Sequence, residues 1–392
     1  MFSKLKLIII SFIILIAGSN SAISIIKFKI IESDSIYFEN IEKLEFSPNG
    51  KFYLVNKRSN TKRINVFNNN GVLYNSFLVN DAFTDKYFDI IKDTTKDEEI
   101  LTTEYLNTLP NRPEVLYDNS FFKSIFLNDS MIVATGSINY YIYGENPSGD
   151  KGLILRAMTV LYKININSNE ITVIPLVFVG RKLYPQLDYL EFVNNKLYFR
   201  LFPMGVHKGL PNSPKFVLGK FNLDSNNWQS VLELPKEYEL SKVNLTLDYK
   251  FRIASNHKKD FFIAPFLNYT FNLEGDTIKL SDLDNAISHS LSLFSSDTLI
   301  RNKDYNMLDS LSHYIGNIFF KGDNLFVILN KPKNYDNKIY LNKYTLKGEL
   351  IYSNVINENQ KLETVFYSEN KQKLYKIYMV KEEWWVEEID FD

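Results

Sequence analysis

The chain has 392 residues, 45% hydrophobic and 15% aromatic, which is enough to bury a large core and excludes a disordered chain. The formal net charge of −1 at pH 7 indicates no general attraction to nucleic acid or to anionic membranes, and the absence of cysteine excludes disulfides and thiolate metal sites. Thirty Phe and 25 Tyr beside only 15 Gly favour strands over helices, so we expect an all-β fold.

The N-terminus has the order of regions found in a signal peptide. Lys4 and Lys6 precede the mostly apolar run Leu7–Ala17, and the small polar stretch Gly18–Ala22 follows. We predict that residues 1–22 are a cleaved signal peptide and that residues 23–392 are exported as one domain to the periplasm or the cell exterior. An uncleaved anchor is the alternative, but a run of roughly eleven residues is shorter than the ~20 that span a bilayer. No comparable run recurs, so we expect no stable membrane span after cleavage.

The first part of the predicted domain is typical of a four-stranded meander. The strand Leu44–Phe46 is followed by the turn Ser47–Gly50 and by the strand Lys51–Asn56. The strands Ile64–Phe67 and Val72–Leu78 come next, around a turn that ends in Asn-Gly. Proline and Asn-Gly supply the backbone angles that tight turns need, so the pattern predicts antiparallel hairpins.

The same pattern returns along the chain, which is typical of a propeller or another repeat array. The last repeat has only three predicted strands, and the strand-like run Ser24–Ile31 lies outside the first repeat. We predict that this run, within residues 24–32, supplies the missing strand and closes the ring, because a propeller otherwise exposes two sheet edges. The predicted fold is therefore a six-bladed β-propeller, although residues 80–119 and 281–312 are long enough to hide a seventh blade. The predicted blades are about 41–78, 121–178, 187–234, 248–280, 313–355, and 363–391 plus 24–32.

One turn carries a resemblance to known repeats. The segment Phe46–Lys51 resembles the F-S-P-[DN]-G-K hairpin of TolB-like and NHL-like bacterial propellers, and Val66–Gly71 resembles a V-F-x-x-x-G segment of NHL-type blades. The resemblance covers one repeat well and the others in outline. It implies a secreted bacterial propeller fold, in agreement with the Asn-, Ile- and Lys-rich composition, and it implies no particular activity.

The predicted loop lengths indicate where such a propeller binds. The long predicted connections, among them Asn139–Thr159 and Pro203–Lys215, all fall between middle strands or between blades, and therefore on one face. Loops on a rigid scaffold often carry binding residues, so we expect an exported, non-enzymatic binding or scaffolding propeller that recognises a protein or glycan through this face. The candidate ligand-binding residues are Tyr140, Tyr141, Tyr143, Arg156, His207 and Lys208. The alternative for the tyrosines is a packing role.

An enzymatic function is the second hypothesis. The four histidines form no H-E-x-x-H motif and no G-x-S-x-G elbow is present, so no catalytic residue is assigned. A metal-assisted hydrolase or lyase would instead need three or more acidic or amide side chains near the channel mouth. No cofactor is predicted; Glu145–Asp150 has the oxygen ligands of a calcium loop but lacks their regular spacing, and a plain turn is the alternative.

Overall fold

The computed structural model shows strands joined by turns over most of the residues that it describes. Those residues are 27–30, 41–57, 62–78, 89, 101, 108, 120–145, 149–176, 183–193, 196–203, 217–225, 227–233, 252–256, 259–263, 269–272, 277–280, 314–330, 338–357 and 364–391. The strands are β1 (Lys27–Lys29), β2 (Ile41–Phe46), β3 (Phe52–Lys57), β4 (Arg63–Asn68), β5 (Leu73–Leu78), β6 (Ser120–Asn128), β7 (Met131–Glu145), β8 (Lys151–Asn165), β9 (Ile171–Pro175), β10 (Leu183–Val193), β11 (Lys196–Pro203), β12 (Val217–Asn222), β13 (Asn227–Glu233), β14 (Arg252–Ser255), β15 (Asp260–Ile263), β16 (Tyr269–Asn272), β17 (Thr277–Lys279), β18 (Tyr314–Lys321), β19 (Asn324–Asn330), β20 (Ile339–Tyr344), β21 (Leu350–Asn357), β22 (Thr364–Ser368), β23 (Lys373–Val380) and β24 (Glu383–Ile389).

These strands form six four-stranded antiparallel sheets. Sheets 1 to 5 are consecutive meanders, β2–β5, β6–β9, β10–β13, β14–β17 and β18–β21. Sheet 6 contains β22, β23 and β24, and its fourth strand is β1 from the other end of the chain. Lys27 pairs with Glu387 and Lys29 with Trp385, and the Ile30 amide donates to the Trp384 carbonyl at 2.9 Å. The predicted pairing of the N-terminal run with the last sheet is confirmed over these residues.

The first strand of each sheet contacts the first strands of its two neighbours. These contacts run from β2 to β6, β10, β14, β18 and β22, and β22 in turn contacts β2. The first strands therefore surround a common axis, and the fourth strands form the outer edges. This arrangement of antiparallel sheets is a β-propeller, and the predicted all-β propeller fold is confirmed.

The core lies between neighbouring sheets because strand residues alternate between two faces. Between sheets 6 and 1, Leu44, Phe46 and Tyr53 pack against Trp384 and Val386, and all five side chains are buried. The turn after β2 leads the chain into β3, so that residues of both strands reach this core. In the turn, the Gly50 amide donates to the Ser47 carbonyl at 2.8 Å, and Gly50 has a φ of 67°, the positive value that the sequence pattern predicted.

A buried amide ties sheet 1 to sheet 2. Asn56 donates to the Ser124 carbonyl at 2.7 Å, and its side-chain oxygen accepts from the Ser124 amide at 2.9 Å and from the Ser124 hydroxyl at 3.0 Å. Both residues are buried. The pair therefore satisfies polar groups that would be costly to leave unpaired between two sheets.

Asn56→Ala is expected to lower the free energy of unfolding by about 2 kcal/mol, because the Ser124 amide loses its acceptor inside the protein. Urea denaturation measures the change. The control is Asn354→Ala on the outer strand β21, where the side chain is exposed and the expected change is under about 0.5 kcal/mol. Equal losses in the two variants would contradict the role given to Asn56.

In the described part of the chain, no helix has the length and apolar character needed to cross a membrane. The predicted signal peptide, residues 1–22, lies outside the described residues.

Candidate functional site

A cavity of about 60 Å³ lies on the axis of the propeller. First strands of all six sheets contribute to its wall, together with Glu369 and Asn370 from the turn between β22 and β23. Most of the lining residues belong to the half of each first strand that leads into the short turn before the second strand. A cavity of this volume holds about four water molecules, which is too little room for a sugar ring or a peptide.

One lysine and three glutamates line this cavity, and we name them the axial cluster: Lys43, Glu45, Glu191 and Glu369. The Lys43 Nζ lies 2.6 Å from Glu45 Oε1 and 3.7 Å from Glu191 Oε2. Lys43 and Glu45 come from β2 and Glu191 from β10, so the lysine connects sheet 1 with sheet 3. All three side chains are about a fifth to a quarter exposed, at 27%, 19% and 25%.

The charges in this cluster shift one another's titration. Burial alone would lower the pKa of Lys43, but Glu191 and Glu45 outweigh it and the pKa is raised. Burial raises the pKa of Glu45, and Lys43 only partly opposes it. The pKa of Glu369 is raised to about 7, first because the cavity wall removes its exposed side chain from part of the surrounding water, and then by Glu191 and Glu45, whereas Lys43 acts in the opposite direction.

The axial cluster bears on the hydrolase hypothesis, which required three acidic or amide side chains near the axis. Glu45, Glu191 and Glu369 reach that number. However, the ammonium group of Lys43 supplies a cation within contact distance of two of them. Among the residues with described positions, no group of three or more His, Cys, Asp or Glu is arranged to hold a metal ion.

No member of the axial cluster was among the candidate residues predicted from the sequence. Lys43 and Glu45 alternate with the buried Leu44 and Phe46, which is the usual pattern of a strand with one solvent-facing side. The missed signal was that β2 is the first strand of its repeat, since first strands line the axis of a propeller. Charged residues at alternate positions of that strand therefore face the channel.

The prediction that Asn139–Thr159 is a loop was wrong, because most of these residues form paired strands. β7 and β8 are each 15 residues long, and their register runs without interruption from Met131 opposite Asn165 to Glu145 opposite Lys151. Only residues 146–150 connect them. We name residues 138–158 the β7–β8 arm, because they extend the hairpin beyond the part that pairs with β6 and β9.

Two of the three candidate tyrosines in the arm are core residues. Tyr140 and Tyr141 are buried and pack in the cluster that joins sheets 1 and 2, so the prediction that they face a ligand gives way to the packing alternative. Tyr143 is exposed, at 54%. Arg156 pairs with Tyr140 in the strand register. His207 and Lys208 lie outside the described residues.

The arm has one buried and one exposed face near its tip. Ile142 is buried and Ile154, opposite it, packs against the same core. On the other face, Tyr143 lies opposite Leu153, and Leu155 follows two positions later. Leu153 and Leu155 are 38% and 51% exposed. We name Tyr143, Leu153 and Leu155 the apolar trio.

The segment Glu145–Asp150, for which the sequence left a calcium loop or a plain turn as alternatives, connects β7 with β8. Glu145, Gly149 and Asp150 are exposed, and Gly149 has a φ of 88°, as expected of a turn. Residues 146–148 lie outside the described residues, so three of the six positions carry no description.

No protein-family model matches this sequence, and no curated protein matches it. Among solved structures, the chain is similar to the Dos1 propeller, with a TM-score of 0.40 and 8% identity over 94% of this chain and 96% of that one. It is also similar to a prolyl endopeptidase (TM-score 0.35, 8% identity) and to the Pyrococcus horikoshii acylaminoacyl peptidase (TM-score 0.37, 9% identity). These two alignments cover 88% and 87% of this chain but only 45% and 42% of the peptidases. The propeller assignment rests on the strand pairing described above.

Proposed function

We propose that this chain is an exported binding propeller that recognises a protein partner through the apolar trio of the β7–β8 arm. The observation that carries the proposal is the exposure of Tyr143, Leu153 and Leu155 side by side on an arm whose opposite face is buried. Large apolar side chains that are grouped on a surface, in contrast to scattered ones, are typical of interaction sites.

The arm holds the apolar trio in a fixed position. Fifteen consecutive residue pairs connect β7 with β8, and the last eight of them, from Ile138–Met158 to Glu145–Lys151, lie in the arm. The Leu101 amide donates to the Tyr141 carbonyl at 2.9 Å along the edge of β7. Leu101 is itself buried in the same core as Tyr140 and Ile142. Little conformational entropy is therefore lost when a partner covers the trio, which favours binding.

The chemistry of the arm favours a protein over a glycan. Two of the three exposed side chains are leucines, which offer no hydrogen bonds to a sugar. The charged residues Glu145, Asp150 and Lys151 surround the tip and are exposed. An apolar centre with a charged rim is the usual composition of a protein–protein interface, and a tyrosine at its centre is typical of a residue that contributes much of the binding energy.

We further propose that the six sheets are six blades of one ring, and that the chain reaches the periplasm or the cell exterior. The first part is supported by the continuous contacts of the first strands and by the pairing of β1 with β24. The second is supported by the basic, apolar and small-residue regions of residues 1–22. The resemblance of Phe46–Lys51 to TolB-like and NHL-like hairpins agrees with both.

Replacing the trio by serines (Tyr143→Ser, Leu153→Ser, Leu155→Ser) is expected to reduce partner capture at least about 100-fold, since a few buried apolar residues supply most of the energy of such interfaces. The matched control is Val72→Ser, Leu73→Ser, Tyr74→Ser, another exposed apolar group, made of the residue before the outer strand β5 and the first two residues of that strand. The immobilised proteins are exposed to the extracytoplasmic fraction of source cells, and each bound protein is quantified by mass spectrometry.

The trio is substituted and not deleted, because removing residues 139–159 would also remove the core residues Tyr140, Ile142 and Met158. Both triple variants should keep the melting temperature of the parent. A partner that is lost with the β5 variant and retained by the arm variant would overturn the proposal.

A further inference from the structure

We propose that the axial cluster makes the junction between the last and the first sheet sensitive to protons: a proton on Glu369 secures this junction, and its loss loosens it. The proposal concerns the stability of the ring and is independent of the partner proposed for the arm. It rests on the position of Glu369 in a turn that also holds sheet 1, and on the charges that face it.

The turn between β22 and β23 connects the two ends of the ring. Asn370 donates to the Phe46 carbonyl at 2.6 Å, and the Lys371 Nζ donates to the Gly50 carbonyl at 3.1 Å. Both acceptors belong to sheet 1, at the end of β2 and in the turn that follows it. Glu369 immediately precedes these two residues. Electrostatic repulsion of its carboxylate would therefore displace the turn and weaken the two hydrogen bonds that join sheet 6 to sheet 1.

The charges around Glu369 come from several sheets. Glu45 and Lys43 from β2 and Glu191 from β10 line the same cavity as Glu369 and act on its charge. Arg252, in β14, acts on Lys43. The first strands of sheets 2 and 5 contribute neutral groups to the cavity wall, among them Phe126 and Asn317. Lys43 already contacts both Glu45 and Glu191. One positive charge therefore neutralises only one of these two carboxylates, and a negative charge on Glu369 is repelled by the excess negative charge.

The direction of the pH dependence follows from the pKa of Glu369, which is about 7 in the folded chain against an ordinary value of 4.5. A carboxyl group whose pKa is raised on folding keeps its proton in the folded state between these two values, while the unfolded chain has lost it. The stabilisation is therefore complete below about pH 4.5 and is lost as the pH rises to about 7. The side chain of Glu369 is exposed at the cavity mouth, so solvent reduces the size of the effect.

The test compares Glu369→Gln with the parent chain at pH 5 and pH 8. Glutamine resembles the protonated side chain at both values, so the variant should melt only slightly higher than the parent at pH 5 and clearly higher at pH 8, by on the order of 2 °C. The matched control is Glu170→Gln, in the exposed turn between β8 and β9, which should keep the pH dependence of the parent.

Hydrogen exchange, corrected for its intrinsic pH dependence, provides the local measurement. In the parent chain, the amides of residues 41–50 and 368–372 should exchange faster at pH 8 than at pH 5 relative to those of β19, and Glu369→Gln should remove this difference. An unchanged pH dependence of melting and of exchange in Glu369→Gln would overturn the proposal.

Discussion

Gly348→Ala is expected to lower the free energy of unfolding by about 3 kcal/mol, because the backbone angle at this position is strained for alanine and the added Cβ atom would clash with a neighbouring strand. Gly348 has a φ of 83°, and a Cβ atom added there would lie 1.8 Å from the Lys279 carbonyl oxygen. That oxygen belongs to the last residue of β17, so the turn of sheet 5 is pressed directly against the backbone of sheet 4. Relief would require the two sheets to separate locally.

The matched control for this substitution is Gly322→Ala. Gly322 also has a positive φ, of 58°, but an added Cβ would meet nothing within 4 Å. The expected loss is therefore the conformational cost alone, about 1 kcal/mol. Urea denaturation of both variants measures the difference. Equal losses would show that the turn of sheet 5 does not lie against sheet 4.

Asp260→Ala is expected to lower the free energy of unfolding by about 3 kcal/mol, since it breaks a buried polar network between sheets 3 and 4. Asp260 is 7% exposed, and its Oδ2 accepts a hydrogen bond from the Tyr198 hydroxyl at 2.6 Å and from the Lys196 Nζ at 2.8 Å. Without the carboxylate, the fully buried Tyr198 hydroxyl loses its acceptor. Asp224→Ala, in the exposed turn between β12 and β13, is the control and should cost under about 0.5 kcal/mol.

Because of the same network, the contribution of Asp260 to the free energy of unfolding depends on pH. Burial raises the pKa of Asp260, but the hydrogen bonds from Lys196 and Tyr198 outweigh it, and the pKa is lowered from its ordinary value of 3.8. A lowered pKa means that the stabilisation is present above about pH 3.8 and is lost as the pH falls through the folded-state value. The stability difference between the parent and Asp260→Ala should therefore narrow below about pH 4. A difference that stays constant down to pH 2 would contradict this role.

Much of the fold could be predicted from local pattern. The turn Ser47–Gly50 and the apolar residues at alternate positions, Phe52 and Leu54 in β3 and Ile64 and Val66 in β4, are properties of neighbouring residues, and the structure has strands where these patterns occur. The pairing of β1 with β24 was predictable for a different reason: a three-stranded last repeat and a spare N-terminal strand leave few other ways to satisfy both edges.

The arm was misassigned because its signal was overlooked. Turn residues occur at 146–150, between two stretches with apolar residues at alternate positions: Ile138, Tyr140 and Ile142 before the turn, and Leu153, Leu155 and Ala157 after it. This pattern predicts a long hairpin. The boundaries of the predicted loop instead coincide with the positions at which β7 and β8 stop pairing with β6 and β9.

The axial cluster could not be derived in the same way. Its members are far apart in sequence, and their meeting depends on how the six sheets are arranged around the axis. Local alternation shows only that Lys43 and Glu45 share a face of β2. Which residues this face meets is decided by the arrangement of the six sheets around the axis, and the sequence of β2 alone does not contain that information.

Site-specific photocrosslinking tests the central claim, recognition of a protein through the arm, most directly. A photoreactive amino acid replaces Tyr143 in one variant and Tyr74 in another; the two tyrosines are similarly exposed, at 54% and 51%. After irradiation in the extracytoplasmic fraction of source cells, position 143 should yield a discrete protein adduct that disappears with Leu155→Ser, while position 74 should yield none. A discrete adduct from position 74 and none from position 143 would contradict the account.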